Sequence, residues 1–103
     1  MRLLTDEQAK NLPPLYATEN IATKDKIVKI KFFTPDSSWS WYAVEYDKDE
    51  KIFFGYVNGH YPEWGYFSLE ELEQTKGPLG LHIERDIHFK EQPFGQIKEL
   101  QWI

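Results

Sequence analysis

The stretch Lys26 to Asn58, "KIVKIKFFTPDSSWSWYAVEYDKDEKIFFGYVN", constrains the fold most, because it packs three strand patterns into one short run. "KIVKIKFFT" alternates, with Val28, Ile30 and Phe32 on one face and Lys29 and Lys31 on the other, the period of a half-buried strand. "TPDSS" places Pro, Asp and Ser at turn positions, and a second strand is expected from about Trp39 to Tyr46. "DKDE" makes another turn before "KIFFGYVN", and "WGYFS" supplies a fourth strand after "GHYPE". Parallel strands need long crossovers, so consecutive strands joined by turns this short form an antiparallel meander.

Short helices flank the strands. Thr5 with Gln8 makes a capping box at the start of "TDEQAKNLPP", with Ala9 and Leu12 on one face and Pro13 and Pro14 ending the helix. Ser68 with Glu71 opens a second helix through "LEELEQT", whose Leu69 and Leu72 can dock while Glu70 and Glu73 stay in water. Gly77 and Pro78 are stop signals, "LGLHIERDIHF" is a candidate fifth strand, and "FGQIKEL" is a weak terminal helix with Ile97 and Leu100 at helical spacing. The expected class is α+β: an antiparallel meander of four to five strands with short helices near the N-terminus, after the fourth strand and at the C-terminus. The 103 residues make one domain, 1–103.

Composition excludes several functions. There is no cysteine, which removes disulfides, thiol nucleophiles and thiolate metal sites together. No apolar run is long enough to cross a bilayer, and "MRLLTDEQAK" turns charged too early for a secretory signal, so the expected location is the cytoplasm, with no membrane partner. Residues 35–75 carry nine acidic against two basic side chains, within a chain of net charge −5. Phosphate binding needs a basic excess, so general nucleic-acid binding is disfavoured.

The chemical candidates are few. In "HIERDIH", a strand would put His82, Glu84, Asp86 and His88 on one face, a donor set suited to zinc, but residues two apart on a strand lie about 6–7 Å apart, too far for four to reach one ion. His60 with Glu63, beside Tyr61, offers an acid-base pair in a loop that turn formation explains equally well. No nucleophile elbow or phosphate loop is present, and no cofactor is expected.

The aromatic hairpin remains. Trp39 and Trp41 alternate with Tyr42, Val44 and Tyr46, so the strand is apolar on both faces. Phe32, Tyr42, Val44 and Tyr46 are assigned to the core side and Trp39 and Trp41 to the other. If helices cover that second face, all are structural. If not, Trp39 and Trp41 form an exposed platform rimmed by Asp36 and Glu45, with Lys29 and Lys31 as a cationic edge.

"LPPLYATE" (Leu12 to Glu19), "KFFTPDS" (Lys31 to Ser37), the Trp39, Trp41, Tyr42 triplet, "FFG" (Phe53 to Gly55), "GYFSL" (Gly65 to Leu69) and "GPLGL" with the following "IERD" and "HF" (Gly77 to Phe89) resemble the bacterial family catalogued as domain of unknown function 2958. The resemblance covers roughly residues 3–90 and leaves out "EQPFGQIKELQWI". It implies a small cytosolic protein of the kind encoded on plasmids, phages and other mobile elements, and it carries no activity, cofactor or site residue. The family pattern tends to proline where this chain has His82.

Three functional classes follow. The leading one is a non-enzymatic module that binds a protein through the aromatic sheet face or the acidic middle segment, by nucleic-acid mimicry in one variant. The second is single-stranded nucleic-acid binding through the sheet aromatics with Lys24, Lys26, Lys29 and Lys31. The third is a small metal or acid-base enzyme built on His60, His82 or His88. The oligomeric state is left open.

Overall fold

A computed structural model describes residues 2–100. The meander is present and all antiparallel: β2 (Ile30–Phe33), β3 (Ser40–Asp47), β4 (Ile52–Asn58) and β5 (Glu63–Ser68). A two-residue β6 (Glu84–Arg85) returns to pair with β2, giving the sheet order β5-β4-β3-β2-β6. A second, two-stranded sheet joins β1 (Ile27–Val28) to β7 (Gln92–Pro93). The α+β class stands.

Both helices form where their caps predict. In α1 (Asp6–Asn11) the Thr5 hydroxyl accepts from the Gln8 N–H at 3.1 Å and the Gln8 side chain accepts from the Thr5 N–H at 3.0 Å. In α2 (Leu69–Gln74) the Ser68 hydroxyl accepts from the Glu71 N–H at 3.2 Å. The terminal segment forms two 3-10 turns, Phe94–Gln96 and Lys98–Leu100, where a helix was expected. A 3-10 period of three residues stacks Phe94, Ile97 and Leu100 on one side, and all three pack into the same cluster.

That cluster answers the question of the second sheet face: both faces are covered. Leu3, Leu4, Leu12, Leu72 and Ile83 pack on one, the helical face, against Phe32, Trp41, Ala43, Tyr46, Phe53 and Phe67. On the other, the C-terminal face, Val28, Ile97 and Leu100 pack against Tyr42, Val44 and Tyr56. The expected division of β3 is therefore corrected. Phe32 pairs with Trp41 across β2 and β3, so the two share a face. The register between β3 and β4 then slips, Ala43 opposing Gly55 and Glu45 opposing Phe54, so Val44 is the extra residue of a β-bulge. The bulge inverts the alternation and carries Tyr46 to the face of Trp41, while Tyr42 and Val44 stay opposite.

Two further corrections follow from chain breaks. Val28 leaves the face of Ile30 and Phe32 because Lys29 interrupts the strand between β1 and β2. The candidate fifth strand shrinks to two residues, which leaves Ile87 at 66% exposure and Leu81 at 48%. The His82, Glu84, Asp86, His88 stripe therefore has no continuous strand to order it.

Candidate interaction surface

The residues expected to form a platform are mostly committed elsewhere. Trp41 is buried in the helical-face core. Trp39 is half-buried, 5.8 Å from the Trp41 ring, edge-on to His60 at 5.2 Å, and so close to Gly59 that a Cβ there would fall 2.3 Å from its indole. Asp36 is a loop clip, its Oδ2 accepting from the Leu79 N–H at 2.8 Å. A Cβ at Gly77 would fall 1.6 Å from Asp36 Oδ1, so only glycine admits this approach.

Glu45 departs furthest from a rim position. It is 3% exposed, its Oε1 accepts from the Tyr16 N–H at 2.8 Å, and its Oε2 accepts from the Thr18 N–H at 2.9 Å and from the Thr18 hydroxyl. Lys26 is buried too, donating to the Thr18 carbonyl and, at 3.3 Å, to its hydroxyl.

The cationic edge is paired. Lys29 meets Glu91 at 2.8 Å, and Lys31 meets Glu99, with Asp86 at 4.0 Å. Glu99 also accepts from the Tyr42 hydroxyl at 2.6 Å. Burial, then the hydrogen bond and negative charge of Glu99, push the Tyr42 hydroxyl far above the ordinary tyrosine range.

The three histidines lie on separate loops: His60 after β4, His82 before β6 and His88 after it. Among the described residues no three His, Asp or Glu side chains come together in a way that could hold a metal ion.

What the fold does present is a different aromatic group. In β5, Trp64 and Tyr66 are two apart and project to one side, opposite Tyr56 and Phe54 of β4. Phe54 lies 5.3 Å from Tyr66 and 5.7 Å from Trp64, and Trp64 continues to Phe94 at 4.8 Å. At the inner end these rings close the C-terminal-face core. At the outer end Tyr66 is 55% exposed and Phe54 and Trp64 are half-buried.

Tyr16 completes the surface at 62% exposure. Its φ is +72°, a left-handed conformation that costs a bulky residue of order 1–2 kcal/mol. The Glu45 carboxylate holds its N–H in that geometry. The neighbouring Tyr16 hydroxyl is the leading reason the Tyr66 hydroxyl sits above its ordinary range, with burial second.

β5 is also the last strand of the sheet, and among the described residues no backbone group pairs with its outer edge. The signal for this surface was in the sequence, as aromatics two apart in "FFGY" and again in "WGY". The tryptophans at 39 and 41, to which the sequence pattern points instead, are one half-buried and one buried.

A family model described as "Protein of unknown function (DUF2958)" matches residues 3–96. No curated protein and no solved structure matches the chain.

Proposed function

Starting from the chain's membership of the DUF2958 family, which brings no activity with it, we propose that this protein is a non-enzymatic module that binds another protein through Tyr16, Phe54, Trp64 and Tyr66. One observation carries the proposal: Tyr16 is held by a buried glutamate in a costly backbone conformation while its ring stays in water beside Tyr66. Strain that packing does not use is characteristic of a functional position. Exposed Tyr and Trp suit protein recognition, since they bring large contact area with few rotatable bonds.

The nucleic-acid alternative has less support, because Lys26 is buried and Lys29 and Lys31 face carboxylates. The acidic middle segment favours a partner that carries basic residues.

The test is quantitative affinity capture from cells that carry the gene, with the wild-type chain and the Tyr16→Ala/Tyr66→Ala double variant immobilised at equal density. Proteins held by the wild type are expected to drop at least tenfold on the double variant and to persist on a Leu79→Ala/Leu81→Ala control at the opposite end of the sheet. Equal retention by the Tyr16/Tyr66 variant would refute the assignment.

A further inference from the structure

The aromatic surface borders an open strand edge, and the two together define a more specific partner. β5 runs as Glu-Trp-Gly-Tyr-Phe-Ser with no bulge against β4, and it carries none of the lysines, prolines or bulges that protect an edge from pairing. Its middle residue, Gly65, opposes Gly55, and the space that a Cβ at Gly65 would enter is empty to 4 Å. Gly65 shares the face of Phe67, while Trp64 and Tyr66 point to the other side. The edge therefore offers an aromatic wall on one face and a vacancy beside a glycine on the other.

We propose that an extended segment of the partner pairs with β5 as a sixth strand of the sheet, with a large aromatic residue over Gly65 and basic residues towards the two ends. The proposal rests on the protein-binding function assigned to the same aromatic surface.

Three observations select this occupant. Backbone pairing with an open edge supplies sequence-independent affinity, and alternate side chains then supply specificity. A cross-strand aromatic covers a glycine in a neighbouring strand, which is what the empty space at Gly65 admits. The ends of β5 are acidic, with exposed Glu63 at one and exposed Glu70 and Glu71, opening α2, at the other. A basic strand complements that arrangement, and a second copy of this β5, which carries only Glu63 as a charge, does not.

The test uses the full chain, isotope-labelled for amide NMR, and the capped peptide Thr-Lys-Val-Phe-Val-Lys-Thr as probe. At saturation, alternate amides within 63–68 are expected to gain at least tenfold protection from hydrogen exchange. Gly65→Val is expected to keep the thermal midpoint and weaken binding at least tenfold, and replacing the peptide Phe by Ala is expected to weaken it comparably.

Unchanged exchange at 63–68 with millimolar peptide, or equal binding by Gly65→Val, overturns strand addition. If the side-chain signals of Tyr16, Trp64 and Tyr66 still move while the β5 amides do not, strand addition fails and the aromatic surface stands. Concentration-dependent dimerisation in sedimentation, with β5 amides protected before peptide is added, identifies a second copy as the occupant and overturns the basic peptide.

Discussion

Glu45, within β3, and Asp36, in the turn that precedes it, use a carboxylate in the same way, yet one is buried and the other half-buried. Glu45 is buried, both its oxygens accept, and it holds the 13–18 loop through Tyr16 and Thr18. Asp36 is half-buried, clips the 77–81 loop through Leu79, and leaves Oδ1 against Gly77 without a partner. Each binds backbone N–H groups distant in sequence, so each is an anchor and neither is a rim. The difference lies in what surrounds them. Glu45 shapes the backbone beneath an aromatic surface, whereas Asp36 organises a loop whose Leu79 is 81% exposed.

Removing the deeper anchor has the largest effect. Glu45→Ala leaves the Tyr16 and Thr18 N–H groups and the Thr18 hydroxyl without their acceptor, in an interior that Lys26 also enters. An unsatisfied buried donor costs about 1–3 kcal/mol, so a loss of about 3 kcal/mol is expected. Calorimetry would register this as a fall in Tm of roughly 12–24 °C for a domain of this size. A fall of no more than about 8 °C would place Glu45 in the same class as Asp36 and break the comparison.

A third carboxylate sharpens the contrast through pH. Glu99 fastens the terminal 3-10 turn to Lys31 and Tyr42. Burial and Glu99 raise the Tyr42 hydroxyl in the folded state, so the unfolded chain ionises first as pH rises. The stability contributed by the neutral phenol is complete below the ordinary value of 10.0 and is lost progressively above it. Each such tyrosine steepens the decline by about 1.4 kcal/mol per pH unit. Urea midpoints at pH 9 to 11 should show Tyr42→Phe declining less steeply than wild type, though starting about 1 kcal/mol lower from loss of the Glu99 bond. Equal slopes would mean that Tyr42 is not held neutral.

The shallower anchor gives a smaller change. Gly77→Ala drives a Cβ into Asp36 Oδ1 and should detach the 77–81 loop, at about 1 kcal/mol, because water can replace the lost acceptor at an exposed site. Hydrogen exchange at Leu79 should quicken while exchange at Thr18 is unchanged. Coupled acceleration at both would join the two ends of the sheet into one cooperative unit.

What the sequence disclosed follows from how local each signal is. The meander, both helix starts and the helix-docking leucines were legible because alternation, capping residues and turn residues act within a few positions. The assignment of faces was not, since one extra residue at Val44 inverts it and a bulge has no mark in "WYAVEYD". Nor were the anchors. Glu45 reaches Tyr16 across 29 residues, and a lone acid beside aromatics looks the same whether it rims a platform or holds a distant loop. The aromatic surface was half legible: the spacing of Trp64 and Tyr66 was present, but that Tyr16 joins them depends on the same long-range contact.

The smallest expected change separates stability from function at the Glu45 end. Tyr16 occupies a left-handed backbone position that glycine adopts without penalty. Tyr16→Gly keeps the N–H that Glu45 accepts and releases the strain. Because glycine also loses more backbone entropy on folding, the net gain is expected to be only about 0.5–1 kcal/mol, a rise in Tm of a few degrees. The same substitution removes the ring beside Tyr66 and should weaken partner binding about tenfold. A more stable chain that binds less would mean that the strain at Tyr16 is maintained for recognition. A less stable one would mean that the ring itself secures the loop, leaving Glu45 as a structural anchor of the same kind as Asp36.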